Sequence, residues 1–213
     1  MSLLARLVGT AIVLFARFIT AVRGIWLGVE PTAKQRIYFA NHASHGDFIL
    51  IWTVLPFRLR RTARPVAGAD YWLKSTLKRF IGRNVFNAVL IDRDRETRTG
   101  DPIETMAEAL DGGASLILFP EGTRNETAEP LLPFKAGLYH LAKARPAVEM
   151  VPVWIENLNR VMPKGELVPI PLICTVTFGG PLRVAVEESK ADFIARAESA
   201  LLSLSPDTEG SRK

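Results

Sequence analysis

Cysteine is nearly absent from this chain of 213 residues, which contains only Cys174. A single cysteine excludes an intrachain disulfide and fits a reducing compartment. Because Cys174 lies within an apolar run, we expect a buried, unreactive thiol; a reactive thiol needs an electropositive and open setting. The glycines and prolines form neither internal repeats nor a low-complexity tract. An apolar content of 48% is sufficient for the core of one domain.

Acidic side chains are absent from the first 29 residues, and the first one is Glu30, next to the helix-breaking Pro31. In this segment apolar residues recur at alternating spacings of four and three, which indicates one face of a helix. They are Leu4, Val8, Ala11, Phe15, Phe18, Val22, Ile25 and Val29. Arg6 and Arg17 lie on the opposite side. We therefore predict an amphipathic, membrane-associating helix over residues 1–30.

A long uninterrupted apolar run is also missing from this helix. The stretch between Arg6 and Arg17 has only ten residues, whereas a membrane-spanning helix needs roughly 20 apolar residues. No small-residue cleavage site precedes Arg23, which argues against a signal peptide. A helix lying in the membrane interface fits best, and a core helix or a true span are the alternatives. The arginines predict the cytoplasmic face of the cell membrane, with peripheral or monotopic attachment.

Positive charge exceeds negative charge, with a net charge of +5 and a pI of about 9.6. The excess is concentrated in residues 58–98, which contain eleven basic residues and four acids. Such a segment is typical of contact with anionic lipid, nucleic acid or an acidic carrier protein, or of a solvated face without a partner. No recognised nucleic-acid motif or set of stacking aromatics accompanies the charge, so we do not expect a nucleic-acid partner.

Strands and helices are predicted to alternate along the remainder of the chain. Strands are predicted at 36–40, 85–91, 115–119, 150–155, 172–178 and 183–186. Helices are predicted at 47–55, 70–81, 102–110, 134–144 and 190–204. This order predicts an α/β fold over residues 31–206, with a mixed, largely parallel sheet flanked by helices, and a polar tail at 207–213. In such sheets ligands bind where strands end and loops gather.

A histidine and an aspartate follow the first of these strands, as His42 and Asp47. An imidazole accepts a proton from an alcohol near neutral pH when a carboxylate orients it and stabilises its charged form. Because the chain has no G-x-S-x-G elbow, we expect the attacking hydroxyl to belong to the substrate. A structural role for the pair remains open. A metal site with His45 is not expected, since the spacing differs from the usual helical one.

A second polar loop follows the strand at 115–119 and reads Phe119-Pro-Glu-Gly-Thr-Arg124. Its glycine permits close backbone approach to a ligand, and its arginine pairs well with phosphate oxygens. Arg93, just beyond the strand at 85–91, is a further phosphate candidate. A surface turn with an internal Glu–Arg pair and a solvated charge run are the alternative interpretations of these two segments.

The order and spacing of these segments resemble the glycerolipid acyltransferases, the family of the 1-acylglycerol-3-phosphate acyltransferases. His42 and Asp47 are similar to the family's H-x4-D signature, and Phe119–Arg124 is similar to its second hallmark. The other similar blocks are Ile91-Asp92-Arg93, Phe134-Lys135-x-Gly137 and Val151-Pro152-Val153. Together the blocks cover about residues 36–155. The family's middle block often opens with glycine where this chain has Asn87, which leaves the identity of the acceptor open.

The resemblance implies a glycerol-3-phosphate acyltransferase-like fold, with His42 as general base and Asp47 as its partner. It also implies a set of residues that bind the phosphorylated acceptor: Arg93, Glu121, Gly122, Thr123 and Arg124. Backbone N–H groups near the helix start are expected to stabilise the oxyanion.

The implied reaction moves an acyl group from a thioester, acyl-CoA or acyl-carrier protein, to a lysophosphatidic-acid-like membrane lipid, without metal or cofactor. Glycerol 3-phosphate or a lyso-aminolipid are alternative acceptors. The basic segment is expected to receive coenzyme A phosphates or the acidic carrier. A lipid hydrolase and a non-catalytic membrane-surface protein are the alternative functions.

Overall fold

The structure is a computed structural model that describes residues 2–44, 46–92, 100–156 and 173–206. One sheet of seven strands organises it, in the order β1-β7-β6-β2-β5-β3-β4. The strands are β1 (Arg23–Trp26), β2 (Arg36–Ala40), β3 (Ala63–Gly68), β4 (Val89–Ile91), β5 (Ser115–Leu118), β6 (Glu149–Glu156) and β7 (Thr175–Phe178). Only the β6–β7 pair is antiparallel among the described strands. The prediction of a mixed, largely parallel sheet is confirmed.

Helices cover both faces of the sheet. They are α1 (Leu3–Thr20), α2 (Asp47–Val54), α3 (Phe57–Arg60), α4 (Ala69–Trp72), α5 (Thr76–Phe80), α6 (Pro102–Asp111), α7 (Gly137–Ala144) and α8 (Lys190–Leu202). The central strand β2 shows the two layers, since Ile37 and Phe39 pack with α6, α7 and α8 while Tyr38 packs on the side of α1 and α2. All five residues of β2 are buried, as expected for a strand covered on both faces.

Helix α1 is shorter than the predicted helix over residues 1–30. Its last residue is Thr20, and the backbone turns at Ala21, whose φ of 42° is left-handed. The chain then enters the sheet as β1, which pairs in parallel with β7. Trp26 stacks on Phe178 with ring centroids 3.9 Å apart. The apolar residues Val22, Ile25 and Val29 therefore do not belong to the helix, because the chain from Arg23 to Trp26 forms β1.

The two sides of α1 differ in what they contact. One side packs on the domain through small and apolar residues: Ala5, Gly9, Val13, Ala16 and Thr20. Gly9 permits the close approach, since a Cβ atom there would lie 3.3 Å from Val85 and 3.4 Å from Trp52. The other side exposes large apolar residues: Leu3, Leu4, Leu7, Leu14, Phe15 and Phe18. By length and composition alone, α1 meets the criterion for a membrane-crossing helix.

Several predicted elements have different bounds in the structure. The helix predicted at 70–81 is divided into α4 and α5, because Ser75 adopts an extended conformation and caps α5 through Lys78 N. A π-helical turn, Ile81–Val85, continues α5, so the strand predicted from residue 85 begins only at Val89. The strand predicted at 183–186 is replaced by an isolated bridge between Leu182 and Met150. The tail at 207–213 lies outside the described residues.

Some arginines of the basic segment at 58–98 form hydrogen bonds within the domain. Arg60 donates to the backbone oxygens of Trp52, Thr53 and Leu55 and so caps the end of α2. Burial, with a smaller effect of Arg17, lowers the pKa of Arg60. Arg64 donates to the Asn87 oxygen at 2.6 Å. The segment is therefore less of a free cationic surface than its composition predicts.

Candidate active site

Both polar loops emerge at the same edge of the sheet. Strands β2 and β5 are parallel neighbours, paired from Ile37 with Leu116 to Phe39 with Leu118. Their carboxyl ends therefore lie side by side, and His42 follows one strand as Pro120 follows the other. This is the edge where open α/β sheets bind ligands.

His42 and Asp47 are in direct contact. The Nδ1 atom of His42 lies 2.8 Å from Oδ2 of Asp47. The five-residue interval is spanned by a turn before α2, in which Asp47 is the first helical residue and Gly46 the cap. A continuous helix places residues five apart on different faces, so the turn is what makes this contact possible. The ring is 20% exposed, whereas the Asp47 side chain is 1% exposed.

Asp47 is held by its own loop. Its Oδ2 atom accepts backbone hydrogen bonds from Ala43 and Ser44, each at 2.8 Å. Its Oδ1 atom is buried and has no hydrogen-bond partner among the described residues. With three donors on one oxygen, the carboxylate is fixed in the orientation that the imidazole requires.

The second loop holds the backbone of His42 on both sides. Glu121 accepts the N–H of His42 at 2.7 Å through Oε1 and the N–H of Leu132 at 2.9 Å through Oε2. The N–H of Asn125 donates to the His42 carbonyl oxygen at 2.6 Å. Burial raises the pKa of Glu121, and the two backbone N–H donors oppose that rise. This buried carboxylate, 2% exposed, thus joins the two loops.

One aromatic and one amide side chain also hold His42 and its strand in place. The Phe119 ring stacks on the imidazole with centroids 4.3 Å apart. Asn41 exchanges two hydrogen bonds with the backbone of Ile155, at 2.8 and 3.0 Å, and so ties the end of β2 to β6. Neither Phe119 nor Asn41 was predicted to support the site. Both lie directly beside the two motifs, and this position was the one indication of their role in the sequence.

A cleft of about 970 Å³ opens in front of these loops. The predicted residues His42, Gly122, Thr123 and Arg124 line it together. Its apolar lining includes Val66, Ile91, Ile103, Met106, Leu118 and Leu138. Lys74, Lys135 and His140 also border it, although none of them was predicted as a site residue.

The residues predicted to bind the acceptor differ in their surroundings. Arg124 is 38% exposed and forms an ion pair with Glu126 at 3.5 Å. Gly122 has a left-handed φ of 71°, which favours glycine. Glu121, expected to bind the acceptor, instead faces the backbone of the neighbouring loop and does not line the cleft. Arg93 and His45 lie outside the described residues.

Four of the N–H groups near the start of α2, where oxyanion donors were expected, have partners within the protein. The N–H groups of Ala43 and Ser44 bind Asp47, that of Gly46 binds Ser44 Oγ, and that of Asp47 binds the Ser44 carbonyl oxygen. To bind a substrate oxygen, each of these four groups has to share or exchange its present partner. Within the described part of the chain, no three His, Cys, Asp or Glu side chains are arranged to hold a metal ion.

The thiol of Cys174 is buried, as expected. Burial, with smaller effects of Glu156 and Asp47, raises its pKa to about 11. A thiol protonated at neutral pH is a poor nucleophile, so Cys174 takes no part in the site.

Comparison with known proteins identifies the family of the chain. The sequence model of the Acyltransferase family matches residues 28–156, more than half of the chain. The chain belongs to this family. Similar proteins include 1-acyl-sn-glycerol-3-phosphate acyltransferase of Cocos nucifera, 31% identical over 73% of this chain and 48% of the relative. The alpha form of Mus musculus is 30% identical over 73% of this chain and 53% of the relative.

The chain spans about half the length of these curated relatives. Among solved structures, the lysophosphatidic acid acyltransferase PlsC of Thermotoga maritima shares the fold, with a TM-score of 0.70. The match covers 93% of this chain and 79% of PlsC at 22% identity.

The departure from the family pattern at Asn87 has a physical explanation. Asn87 has a left-handed φ of 49°, and asparagine is among the few residues other than glycine that adopt this conformation readily. The residue lies outside the lining of the cleft. Asparagine therefore permits the left-handed backbone turn that a glycine would make.

Proposed function

We propose that this protein transfers a fatty acyl group from a thioester to the free hydroxyl of a lysophosphatidic-acid-type acceptor, forming phosphatidic acid in phospholipid biosynthesis. The donor is acyl-CoA or acyl-carrier protein. One observation carries the proposal: His42, whose ring contacts Asp47, lines the same cleft as Arg124. The names of the similar proteins support the choice of acceptor.

His42 is the proposed general base. Because Nδ1 contacts Asp47, Nε2 is the ring nitrogen that takes the proton of the acceptor hydroxyl. The hydroxyl oxygen forms a bond to the thioester carbonyl carbon, and the carbon–sulfur bond then breaks. The proton passes from the imidazolium to the leaving thiolate, which departs as a free thiol. The reaction requires no metal, no cofactor and no acyl-enzyme.

The lining of the cleft supports an amphiphilic acceptor. Arg124 presents a cation to the cleft that can pair with a phosphate. Apolar side chains from β3, β4 and α6 also line the cleft and suit a hydrocarbon chain. The catalytic imidazole borders the same space, so one molecule can place a phosphate, a hydroxyl and an acyl chain within it. Arg93 is proposed as a further phosphate ligand.

Helix α1 is proposed to lie on the cytoplasmic face of the cell membrane. Its outer side exposes Phe18 at 87% and Phe15 at 66%, and both are large apolar side chains without protein cover. Arg6 and Arg17 flank this surface and suit anionic headgroups. Since the other side of α1 packs on the domain, attachment is peripheral or monotopic, and the cleft stays close to its lipid substrate.

The function is tested with the His42→Ala variant. We expect thiol release from acyl-CoA plus lysophosphatidic acid to be abolished, while circular dichroism and the unfolding temperature stay those of the wild type. Near-normal turnover by this variant would contradict the assignment of the base.

A panel of acceptors separates the alternatives with the same readout. Lysophosphatidic acid, glycerol 3-phosphate and a lyso-aminolipid are each supplied with one acyl-CoA. Wild-type thiol release without any acceptor identifies a hydrolase. Absence of turnover with every acceptor, together with vesicle binding, identifies a non-catalytic surface protein.

The membrane surface is tested by flotation with vesicles that contain anionic lipid. Phe18→Ser is expected to weaken binding several-fold, because it removes a large apolar side chain from the contact. Val186→Ser is the matched control, since Val186 is equally exposed, at 86%, on another part of the molecule. Equal binding by both variants argues against α1 as the membrane surface.

A further inference from the structure

Lys135 lines the cleft, and its backbone is bonded to the neighbouring loop. Its N–H donates to the carbonyl oxygen of Pro120 at 2.9 Å, which fastens it to the loop that carries Arg124. Its exposed side chain borders the same cleft as His42. The lysine thus reaches the site from a different segment than the loop of residues 119–124.

The side chain of Lys135 lies directly over Gly122. A Cβ atom at position 122 would be 2.6 Å from Nζ and 2.7 Å from both Cδ and Cε of the lysine. Such distances are too short for real contacts, so a side chain at position 122 would displace the end of the lysine side chain. The left-handed φ of 71° also favours glycine at this position.

The ammonium group of Lys135 has no acidic partner in the part of the chain that the structure describes. Among the residues that the structure describes, no carboxylate lies within ion-pair distance of its Nζ atom. Arg124, in contrast, is paired with Glu126 at 3.5 Å. One acid of the cleft, Asp101, uses its carboxylate to cap α6 through the N–H of Ile103. An uncompensated cation at a cleft wall favours an anionic ligand.

We propose that Lys135 binds the phosphate of the acceptor and makes the enzyme discriminate phosphorylated from neutral lyso-acceptors. The inference rests on the proposed acyl transfer and adds a specificity-determining residue to it. A point charge on a flexible stem can follow a phosphate as it settles beside Arg124. A neutral acceptor, which has no phosphate, gains nothing from this ammonium group.

The test compares wild type with Lys135→Met, which keeps an unbranched stem over Gly122 and removes the charge. Lys34→Met is the matched control, because Lys34 is 65% exposed and pairs with Glu149 at 3.7 Å, away from the cleft. For Lys135→Met we expect KM for lysophosphatidic acid to rise about tenfold or more. We expect kcat, and KM for the corresponding monoacylglycerol, to stay within about twofold. Lys34→Met should resemble wild type.

The possible outcomes separate the inference from the function on which it rests. A wild-type enzyme that does not acylate lysophosphatidic acid overturns both. An active wild type with an unchanged Lys135→Met variant overturns the inference alone. An equal rise in KM for the phosphorylated and the neutral acceptor also overturns it, because the lysine then supports the loop rather than the phosphate. Rescue by Lys135→Arg, which restores the charge, supports the phosphate contact.

Discussion

The two sides of the cleft are built in different ways. On the base side, Asp47 is 1% exposed, and both the imidazole and the backbone of His42 are held by hydrogen bonds from two loops. On the cation side, Arg124 is 38% exposed and has one ion pair at 3.5 Å, and Lys135 is exposed without such a pair among the described residues.

The difference follows from the chemistry of each side. Proton transfer requires the base within hydrogen-bond distance of one hydroxyl, and small displacements of the base lower the rate strongly. A phosphate presents several equivalent oxygens, so flexible cations can bind it from a range of positions. We therefore expect substitutions on the base side to lower kcat and substitutions on the cation side to raise KM.

Among substitutions on the two sides of the cleft, Asp47→Asn is expected to change the kinetics most. The amide oxygen can keep the backbone bonds of the loop, but the negative charge that stabilises the imidazolium is lost. We expect kcat to fall on the order of 1,000-fold or more, with little change in KM for the acceptor. Steady-state kinetics with lysophosphatidic acid measure this. Asp111→Asn, an exposed acid paired with Arg145, is the control and should keep wild-type kcat. A mainly KM effect at Asp47 would contradict the division of roles.

Glu121→Gln is expected to have an intermediate effect. Glutamine has one acceptor oxygen for two N–H groups, so either His42 or Leu132 loses its partner. We expect kcat to fall about 10- to 100-fold through a displaced base, while KM stays near the wild-type value. The family resemblance implied direct acceptor binding by this residue, which predicts the opposite pattern. A raised KM with unchanged kcat would therefore restore that role.

The smallest expected effect is that of Arg124→Ala on the cation side. Loss of a charge-assisted contact to phosphate is expected to raise KM for lysophosphatidic acid about tenfold, with kcat changed less. Arg183→Ala removes an arginine that is 58% exposed outside the cleft and serves as the control. Should Arg124→Ala lower kcat as strongly as Asp47→Asn, the two sides would not be separable in function.

The sequence was sufficient to predict the His42–Asp47 pair, but not the contacts that hold the backbone of His42 in place. His42 and Asp47 lie five residues apart and follow a strand of β-forming residues, so their contact was predictable from local spacing. The bond from Glu121 to the His42 backbone joins residues 79 positions apart, and no local pattern specifies such a pair. The polarity of the loop at 119–124 indicated function, yet it did not indicate which side chain faces the ligand and which faces the protein.

The errors in the fold have comparable causes. Ala21 is a good helix former, so nothing in the sequence marks it as the left-handed residue that ends α1. Strand β3 reads Ala-Arg-Pro-Val-Ala-Gly, with only one β-branched residue, and its partners β4 and β5 hold it in the sheet. In both places tertiary pairing overrides weak local preference.

The contact between α1 and α2 sets a distance within the molecule. Helix α2 begins with Asp47 and presents Trp52 to Gly9 of α1. Two helices in such contact have axes about 8 to 10 Å apart. Any surface on which α1 rests is thus separated from the imidazole by a fixed height, since a rigid element joins the two. A bulkier residue at position 9 is expected to increase that height, because its side chain would press on Val85 and Trp52.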